Sequence, residues 1–301
     1  MPNNVLSATK SEIGGVVQEF TWKWENQTIR VVYECLGTGS PLLLLPAFST
    51  VSMRSEMGEI GKLLSPYFQV IAVDWPGFGQ SSRIPVDYQP ALYQQFLYDF
   101  VTSVFDKPVT VIAAGHSAAY VLQVANKIST AFSRIVLVAP TWRGPLRTMG
   151  VNNQVAGFFR GMVRSPIIGQ LLYKLNTVPS FLSLMYRRHV YVDEAKLTPS
   201  FIQYKWNNTQ QPGARFAPAA FVTGNLDAIN NQNDFLTLVK NLSVPLMVII
   251  GESSPSKSRA SMDALAELPG VRSIVLPGSL GMHEEYPSAI VEAIEDFLRN
   301  A

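Results

Sequence analysis

The sequence predicts an α/β protein whose central sheet is mostly parallel and flanked by helices. Short continuous apolar runs, such as Pro41–Leu45 and Phe68–Val73, recur along the chain and alternate with segments of helical spacing. A run that is apolar throughout, rather than at every second residue, is typical of a strand buried on both faces. With 301 residues, 47% of them hydrophobic, the chain is long enough for one large core with an inserted subdomain.

Composition narrows the classes of function and the compartment. The formal net charge of +2 gives no electrostatic support for nucleic-acid binding. Cys35 is the one cysteine, which excludes an internal disulfide framework and fits a reducing compartment. The polar N-terminal stretch contains no apolar signal core, and no apolar run approaches the length of a membrane span. We therefore expect a cytoplasmic protein.

The first elements are a hairpin and two further strand–helix units. Residues 17–35 alternate polar and apolar around a turn at Glu25, which predicts antiparallel strands at one edge of the sheet. The glycine-rich loop 74–82 follows a buried strand, but it lacks the Gly-Lys-Ser/Thr of a phosphate-binding loop. Helical spacing predicts helices over residues 56–64 and 88–105.

The stretch Val109–Lys127 organises the candidate site. An apolar strand, a Gly-His-Ser turn and an amphipathic helix follow one another, which is the predicted setting of a nucleophile elbow. In that setting Ser117 stands at the apex of the turn as the nucleophile, and the amide of Ala118 donates to an oxyanion at the helix N-terminus. Gly115 and Ala119 supply small residues where strand and helix approach each other. The same residues would also suit a serine that caps an ordinary helix.

The alternation of strands and helices stops after a strand predicted over residues 135–139. From residue 144 to residue 221 the chain contains apolar helical pieces separated by prolines, and no buried strand is predicted. This pattern predicts a body formed by residues 1–143 and 222–301, with a helical lid, residues 144–221, inserted after the sixth strand. The alternation then resumes, with strands over residues 246–250 and 272–276 and an amphipathic helix over residues 289–300.

An activated serine needs a base, and the chain contains three histidines. His283 follows the last predicted strand, at the same edge of the sheet as Ser117, and sites of open parallel sheets lie beyond the carboxyl ends of the strands. His283 is therefore the predicted base, although a loop histidine that caps the last helix would have the same position. His116 is expected to point away from the nucleophile, and His189 lies in the lid.

The remaining parts of a triad site are less clearly marked. A second oxyanion donor should follow the early buried strand, and because Pro46 has no amide hydrogen the donor is Phe48 or, as a second choice, Ala47. The acid should follow the strand at residues 246–250, where Ser254 stands in the expected place and Glu252 is the one carboxylate. Glu252 is thus the candidate acid, and a Ser–His dyad oriented by Ser254 or by a backbone carbonyl is the alternative.

Together these features resemble the α/β-hydrolase superfamily over residues 17–299. The resemblance rests on the order Ser117 before His283, the Gly-His-Ser-Ala-Ala turn, the Asp-x-x-Gly-x-Gly-x-Ser-Ser loop that begins at Asp74, and the inserted lid. The chain is similar to lidded single-domain members of the epoxide-hydrolase and haloalkane-dehalogenase-like group, although those two activities use an Asp nucleophile. Segments 45–50, 139–145 and 255–259 are similar to a subgroup of hydrolase-like proteins of cyanobacteria and plastids. The chain departs from the family pattern at Pro46-Ala47, where His-Gly is usual, and at Ser254, where Asp is usual.

The resemblance implies a serine hydrolase that cleaves a carboxylic ester of an apolar acyl, prenyl or phytyl-like substrate through an acyl-enzyme on Ser117. It implies no metal and no organic cofactor. Basic residues interleaved with the apolar lid surface also suit peripheral contact with a membrane. The predicted substrate contacts are Phe48, Trp142, Phe158 and Phe159.

Two other interpretations are open. The missing acid and the altered oxyanion loop suit an α/β-hydrolase-fold protein that no longer hydrolyses and serves as a binding module. The same Ser–His site would also suit a lyase, a cofactor-free peroxidase or a C–C bond hydrolase. The presence of both Ser117 and His283 favours chemistry over binding alone.

Overall fold

The computed structural model describes residues 9–150, 161, 165 and 168–299. Within these residues the centre of the molecule is one eight-stranded sheet. The strands in chain order are β1 Val16–Trp24, β2 Gln27–Leu36, β3 Ser40–Leu45, β4 Phe68–Val73, β5 Val109–Ala114, β6 Phe132–Val138, β7 Leu246–Gly251 and β8 Val271–Leu276. Their spatial order is β1-β2-β4-β3-β5-β6-β7-β8. Because β2 pairs antiparallel with β1 and β4 and all the other pairs are parallel, the predicted fold class is confirmed.

The central strands are continuous apolar runs because both of their faces are covered. Every residue of β5 and β7 is buried, as are the four leucines 42–45 of β3. The edge strand β8 is more exposed, and Val275 faces solvent. Since β3, β5 and β6 are parallel neighbours, the loops that follow them meet at one edge of the sheet, where sites of this architecture are found.

Helices follow the strands in the order that the sequence predicts. The helices of the described residues are α1 Gly58–Leu64, α2 Pro90–Val104, α3 Ser117–Lys127, α4 Pro145–Thr148, α5 Ile168–Leu175, α6 Pro179–Met185, α7 Pro199–Thr209, α8 Phe216–Val222, α9 Gln232–Lys240, α10 Ser256–Ala266, α11 Met282–Glu285 and α12 Pro287–Arg299. In the body, α1 packs against α12, whereas α2 and α9 pack against α3. The sheet is therefore covered by two separate sets of helices.

Between β6 and β7 all the described elements are helical. Part of this region has a small apolar cluster of its own, in which Leu182, Tyr186, Tyr191 and Leu197 pack with Val51 of the body. The helix α9 packs on α3 and so belongs to the body again. The boundaries of the lid at residues 144 and 221 remain a prediction.

A buried ionic cluster holds the start of the described chain and the loop after β4. Arg54 Nε lies 2.9 Å from Glu34 Oε2, Arg54 Nη1 lies 2.5 Å from Asp74 Oδ2, and all three side chains are inaccessible to solvent. Glu34 also accepts hydrogen bonds from the amides of residues 12, 13 and 15. Asp74 accepts one from the amide of Gln80 at 2.8 Å. The glycine-rich loop is thus folded around the carboxylate of its first residue, Asp74.

Candidate active site

The turn between β5 and α3 has its apex at Gly115. Gly115 has a φ of +52°, whereas Glu25 and Ala139 are the non-glycine residues with positive φ among those described. Ser117 is already the first residue of α3, and His116 before it has a right-handed helical conformation. Glycine adopts positive φ without a steric penalty, so the turn has its positive-φ residue at the glycine. The serine therefore does not occupy the apex at which the sequence places it.

The surroundings of Gly115 leave no room for a side chain at the apex. A Cβ on Gly115 would lie 2.9 Å from Cβ of Ala47 in the loop after β3. The carbonyl of Gly115 accepts hydrogen bonds from the amides of Ala118 at 3.3 Å and Thr141 at 3.1 Å. The Ala118 amide, one of the two predicted oxyanion donors, is thus engaged within the turn itself.

Ser117 is fully buried and holds the loop after β3. Its hydroxyl donates to the carbonyl oxygen of Pro46 at 2.5 Å, and Trp75 Nε1 donates to the same oxygen at 3.0 Å. A hydroxyl that donates to a carbonyl is not activated, because an amide oxygen is far too weak a base to accept its proton. In this arrangement the Ser117 hydroxyl links the start of α3 to the loop after β3.

His283 lies in the short helix α11, away from any hydrogen bond with Ser117. Neither of its ring nitrogens has a hydrogen-bond partner among the described residues, although the side chain is buried. The carboxylate that approaches it is Glu56, whose Oε2 lies 3.6 Å from Nε2. The structure therefore does not join the predicted nucleophile to the predicted base.

Glu56 belongs to a buried charge cluster between the body and α7. Lys205 Nζ of α7 lies 3.2 Å from Glu56 and 2.8 Å from Glu284, and the Lys205 side chain is inaccessible. The charge of Lys205 is favoured, because attraction to Glu284 and Glu56 outweighs burial and raises the pKa of its amine. The sequence does not predict this cluster, since Glu56 precedes α1 and nothing in its local pattern links it to His283.

The predicted acid is not brought to His283 either. Glu252 is exposed directly after β7, where its amide donates to Leu276 and its carbonyl accepts from Arg259. Ser254 has a buried hydroxyl with no hydrogen-bond partner among the described residues. No residue in the loop after β7 supplies an acceptor for His283, so the third member of a triad stays unassigned.

The predicted substrate contacts Phe48 and Trp142 are both buried. The Phe48 ring stacks on Trp75, with 4.9 Å between ring centroids, and meets Tyr93 edge to face at the same distance. No acceptor for the Phe48 amide is found among the described residues. Trp142 donates from Nε1 to Ser261 Oγ at 3.3 Å. Phe158 and Phe159, the other predicted contacts, lie outside the described residues.

A histidine–aspartate pair beside the turn was not assigned a role from the sequence. His116 Nε2 lies 2.9 Å from the carbonyl oxygen of Leu226 and 3.5 Å from Asp227 Oδ1. Burial lowers the pKa of His116 to about 4, and the Leu226 contact opposes this shift. Burial raises the pKa of Asp227 to about 7, against the lowering effects of the Gly144 amide at 2.7 Å and the Arg147 guanidinium. Through these contacts the pair links the start of α3 to Gly144 before the inserted region and to Leu226 after it.

The described residues provide neither a cluster for a metal ion nor a helix that could span a membrane. Among these residues no group of three or more His, Cys, Asp or Glu side chains is placed to hold a metal ion. None of the described helices is both long and apolar enough to cross a bilayer.

A mostly parallel eight-stranded sheet with a strand–turn–helix after its central strand defines the α/β-hydrolase class of proteins. The model of the alpha/beta hydrolase family matches residues 42–293, and the chain therefore belongs to this family. Membership supports a hydrolase role in general terms. It does not specify the bond that is cleaved, because proteins of different activities share the fold.

Similar proteins illustrate that range. A curated relative from Synechocystis sp., named "Putative non-heme chloroperoxidase", is 24% identical over 235 residues, which are 75% of this chain and 78% of the relative. The thermophilic esterase of Thermogutta terrifontis has a TM-score of 0.74 at 19% identity, covering 94% of this chain and 98% of the esterase. The bromoperoxidase of Bacillus anthracis has a TM-score of 0.71 at 17% identity, with 94% and 100% covered. At these identities the solved structures establish the fold alone.

Proposed function

We propose that this member of the α/β-hydrolase family binds an apolar small molecule and does not cleave it through an acyl-enzyme on Ser117. The observation that carries the proposal is the geometry of the turn. Gly115 is the residue with positive φ, while the Ser117 hydroxyl donates a hydrogen bond to the carbonyl oxygen of Pro46. Activation of a serine requires a base within hydrogen-bond reach, and neither ring nitrogen of His283 has a hydrogen-bond partner among the described residues.

The apolar character of the ligand is supported by rings at the junction of body and insertion. Phe221 of α8 stacks on Phe48 of the body, with 6.4 Å between ring centroids, and meets His116 edge to face at 5.4 Å. A largely apolar site with a few buried polar groups is typical of small-molecule sites. The inserted helices would then serve as a lid over this junction. A cytoplasmic location is proposed with it, because a single cysteine fits a reducing compartment.

Hydrolysis of a carboxylic ester through Ser117 is the second candidate. Family membership supports it, as does a serine at the carboxyl end of β5 next to the predicted oxyanion loop. This route would require the Ser117 hydroxyl to leave the Pro46 carbonyl and His283 to leave the Glu56 cluster. Hydrolysis therefore needs a rearrangement of two buried side chains.

One experiment separates the two candidates. A fluorophosphonate probe is applied to the wild type and to Ser117→Ala, His283→Ala and Ser261→Ala, the last being a matched buried serine outside the turn. We expect no labelling of the folded wild type, and a rise in melting temperature when apolar acids, alcohols or their esters are added. Labelling that Ser117→Ala and His283→Ala abolish and Ser261→Ala preserves would overturn the proposal in favour of ester hydrolysis.

A further inference from the structure

Exposed large apolar side chains are concentrated on the inserted helices. Six of them fall within residues 168–192, whereas those of the body are fewer and are spread over several elements, such as Val16 on β1, Leu63 on α1 and Val275 on β8. Leu171 and Leu175 of α5 are 60% and 59% exposed. Single apolar residues on a surface are ordinary, but a concentration of this kind marks an interaction site.

The exposed side chains follow helical spacing. Leu171, Lys174 and Leu175 lie on one face of α5, and Phe181, Leu184 and Arg188 recur at intervals of three and four residues from α6 onward. We name these six residues the apolar–basic surface. The opposite face of α6 is already satisfied, because Leu182 packs into the small cluster with Val51. These helices therefore keep an apolar outer face after their inner face is buried, contrary to the usual pattern of a surface helix.

The stretch of sequence that contains these residues carries basic side chains and no acidic ones. No Asp or Glu occurs between Asp106 and Asp193, although the whole chain has 24 Lys and Arg against 22 Asp and Glu. Arg187 has an acidic partner, Glu194, at 3.5 Å. Lys174 and Arg188 have no acidic partner within the described parts of the chain, so their charges are available to a negatively charged surface.

We propose that the apolar–basic surface docks on an anionic lipid bilayer as a peripheral contact. Apolar side chains enter the boundary between headgroups and acyl chains, while lysine and arginine bind the anionic headgroups. A second copy of the chain is disfavoured as the occupant, because a two-fold dimer would place the same basic residues opposite each other. Docking would present the inserted helices to a source of apolar molecules, and it does not depend on whether Ser117 is catalytic.

Flotation of the full-length protein with lipid vesicles tests this proposal. Vesicles of phosphatidylcholine are compared with vesicles that also contain phosphatidylglycerol, at low and at high salt. We expect flotation with the anionic vesicles, little with the neutral ones, and release by salt, because screening shortens the reach of the charges.

Two pairs of variants assign the binding to the proposed residues. Lys174→Glu with Arg188→Glu should weaken binding by on the order of tenfold or more, while Lys23→Glu with Lys240→Glu, exposed basic residues of the body, should leave the charge-dependent binding much less affected. Leu171→Gln with Leu184→Gln should weaken binding at both salt concentrations, whereas Val16→Gln with Leu63→Gln should not. All of these residues are exposed, so melting curves should be close to that of the wild type.

Three results would overturn the proposal. The first is no flotation of the folded wild type, and the second is equal flotation with neutral and anionic vesicles. The third is equal loss of binding in the inserted-helix variants and in the body variants. A dimer that dissociates on Leu171→Gln with Leu184→Gln, in a protein that does not float, would assign the surface to a second copy instead.

Discussion

A nucleophile position combines a positive-φ backbone with a reactive side chain. Here the two properties belong to different residues, Gly115 and Ser117. Gly115 has the positive-φ conformation that would project a side chain from a strand–helix turn, but it has no side chain. Ser117 has the hydroxyl, but it lies in relaxed helical backbone and donates to Pro46. The hydroxyl of the turn thus lies two residues after the positive-φ position, which is the basis of the structural role that we propose for Ser117.

The first prediction concerns two buried serines. Ser117→Ala removes a buried hydrogen bond and leaves the Pro46 carbonyl with one donor fewer, so the free energy of unfolding should fall by about 1 kcal/mol. Ser254→Ala is the control, because its buried hydroxyl has no partner and its removal should be neutral or stabilising. Urea unfolding measures both. Equal losses in the two variants would contradict the structural role of Ser117.

The second prediction concerns the close approach at the apex of the turn. Gly115→Ala places a Cβ 2.9 Å from Ala47 Cβ at a φ of +52°, so it should cost about 2–3 kcal/mol. Gly270→Ala, also at positive φ but with nothing within 4 Å, should cost about 1–2 kcal/mol for the backbone alone. Adding Ala47→Gly to Gly115→Ala should recover the difference. Failure of that rescue in urea unfolding would show that the contact is not the cause.

The sequence predicts the strand, the turn and the helix here, but it places Ser117 at the apex, where the structure has Gly115. Small residues occur two positions before and two positions after both Gly115 and Ser117, so the small-residue pattern fits either one. The choice depends on where β5 stops pairing with β6, which is set by tertiary contacts: Ala114 pairs with Val138, and Gly115 begins the turn. The surroundings of His283 are also only partly predictable. The chain order predicts the loop in which it lies, but it does not predict that Glu56 is its neighbour.

At the scale of the elements, local signals predict structure well where they are chemically specific. Thr198 before Pro199 predicts a helix start, and the Thr198 hydroxyl accepts a hydrogen bond from the Phe201 amide at 3.2 Å. The continuous apolar runs predict β3, β4, β5 and β7 because burial on both faces leaves no alternation. The contacts that hold the inserted helices to the body leave no such pattern, since they join residues far apart in sequence.

The third prediction tests one of those contacts. Lys205→Met leaves Glu56 and Glu284 without their cation, and it should lower the free energy of unfolding by about 3 kcal/mol or more. Limited proteolysis should also cut the inserted helices sooner, because the cluster joins α7 to the body. Lys240→Met, an exposed lysine on α9, should change stability by no more than about 0.5 kcal/mol.

A combined variant checks the physical cause. Adding Glu56→Gln and Glu284→Gln to Lys205→Met removes the uncompensated carboxylates, so part of the lost stability should return. If the combined variant is less stable than Lys205→Met alone, unpaired charge is not the source of the loss.

At the scale of the whole molecule, charge is distributed unevenly between body and insertion. The acidic residues cluster in the body, where Glu34, Arg54 and Asp74 form a buried network that includes residues 12–15 at the start of the described chain. The stretch from residue 107 to residue 192 contains no acidic residue at all. The net charge is near neutral, yet Lys174 and Arg188 of the insertion have no acidic partner among the described residues and suit an external partner.

The fourth prediction follows from Glu34 and concerns acid stability. Burial alone would raise the pKa of Glu34, but hydrogen bonds from the Glu12 and Gly15 amides, the Ser11 hydroxyl and the Arg54 guanidinium lower it to about 2. A carboxyl group whose pKa is lowered by folding stabilises the protein above its unfolded-state pKa, near 4.5, and loses that contribution as the pH falls toward 2. The loss attributable to Glu34 should be about 2–3 kcal/mol.

Urea unfolding at a series of pH values between about 6 and 2 measures this contribution. Glu34→Gln should be less stable than the wild type at the upper end, because Arg54 loses one of its two carboxylates in a buried setting. The difference between the two proteins should then shrink as the pH falls, since the wild type alone loses the Glu34 charge. Glu292→Gln, an exposed residue of α12, should follow the wild-type curve throughout. A constant difference between Glu34→Gln and the wild type at every pH would mean that packing, and not the ionised carboxylate, is what residue 34 contributes.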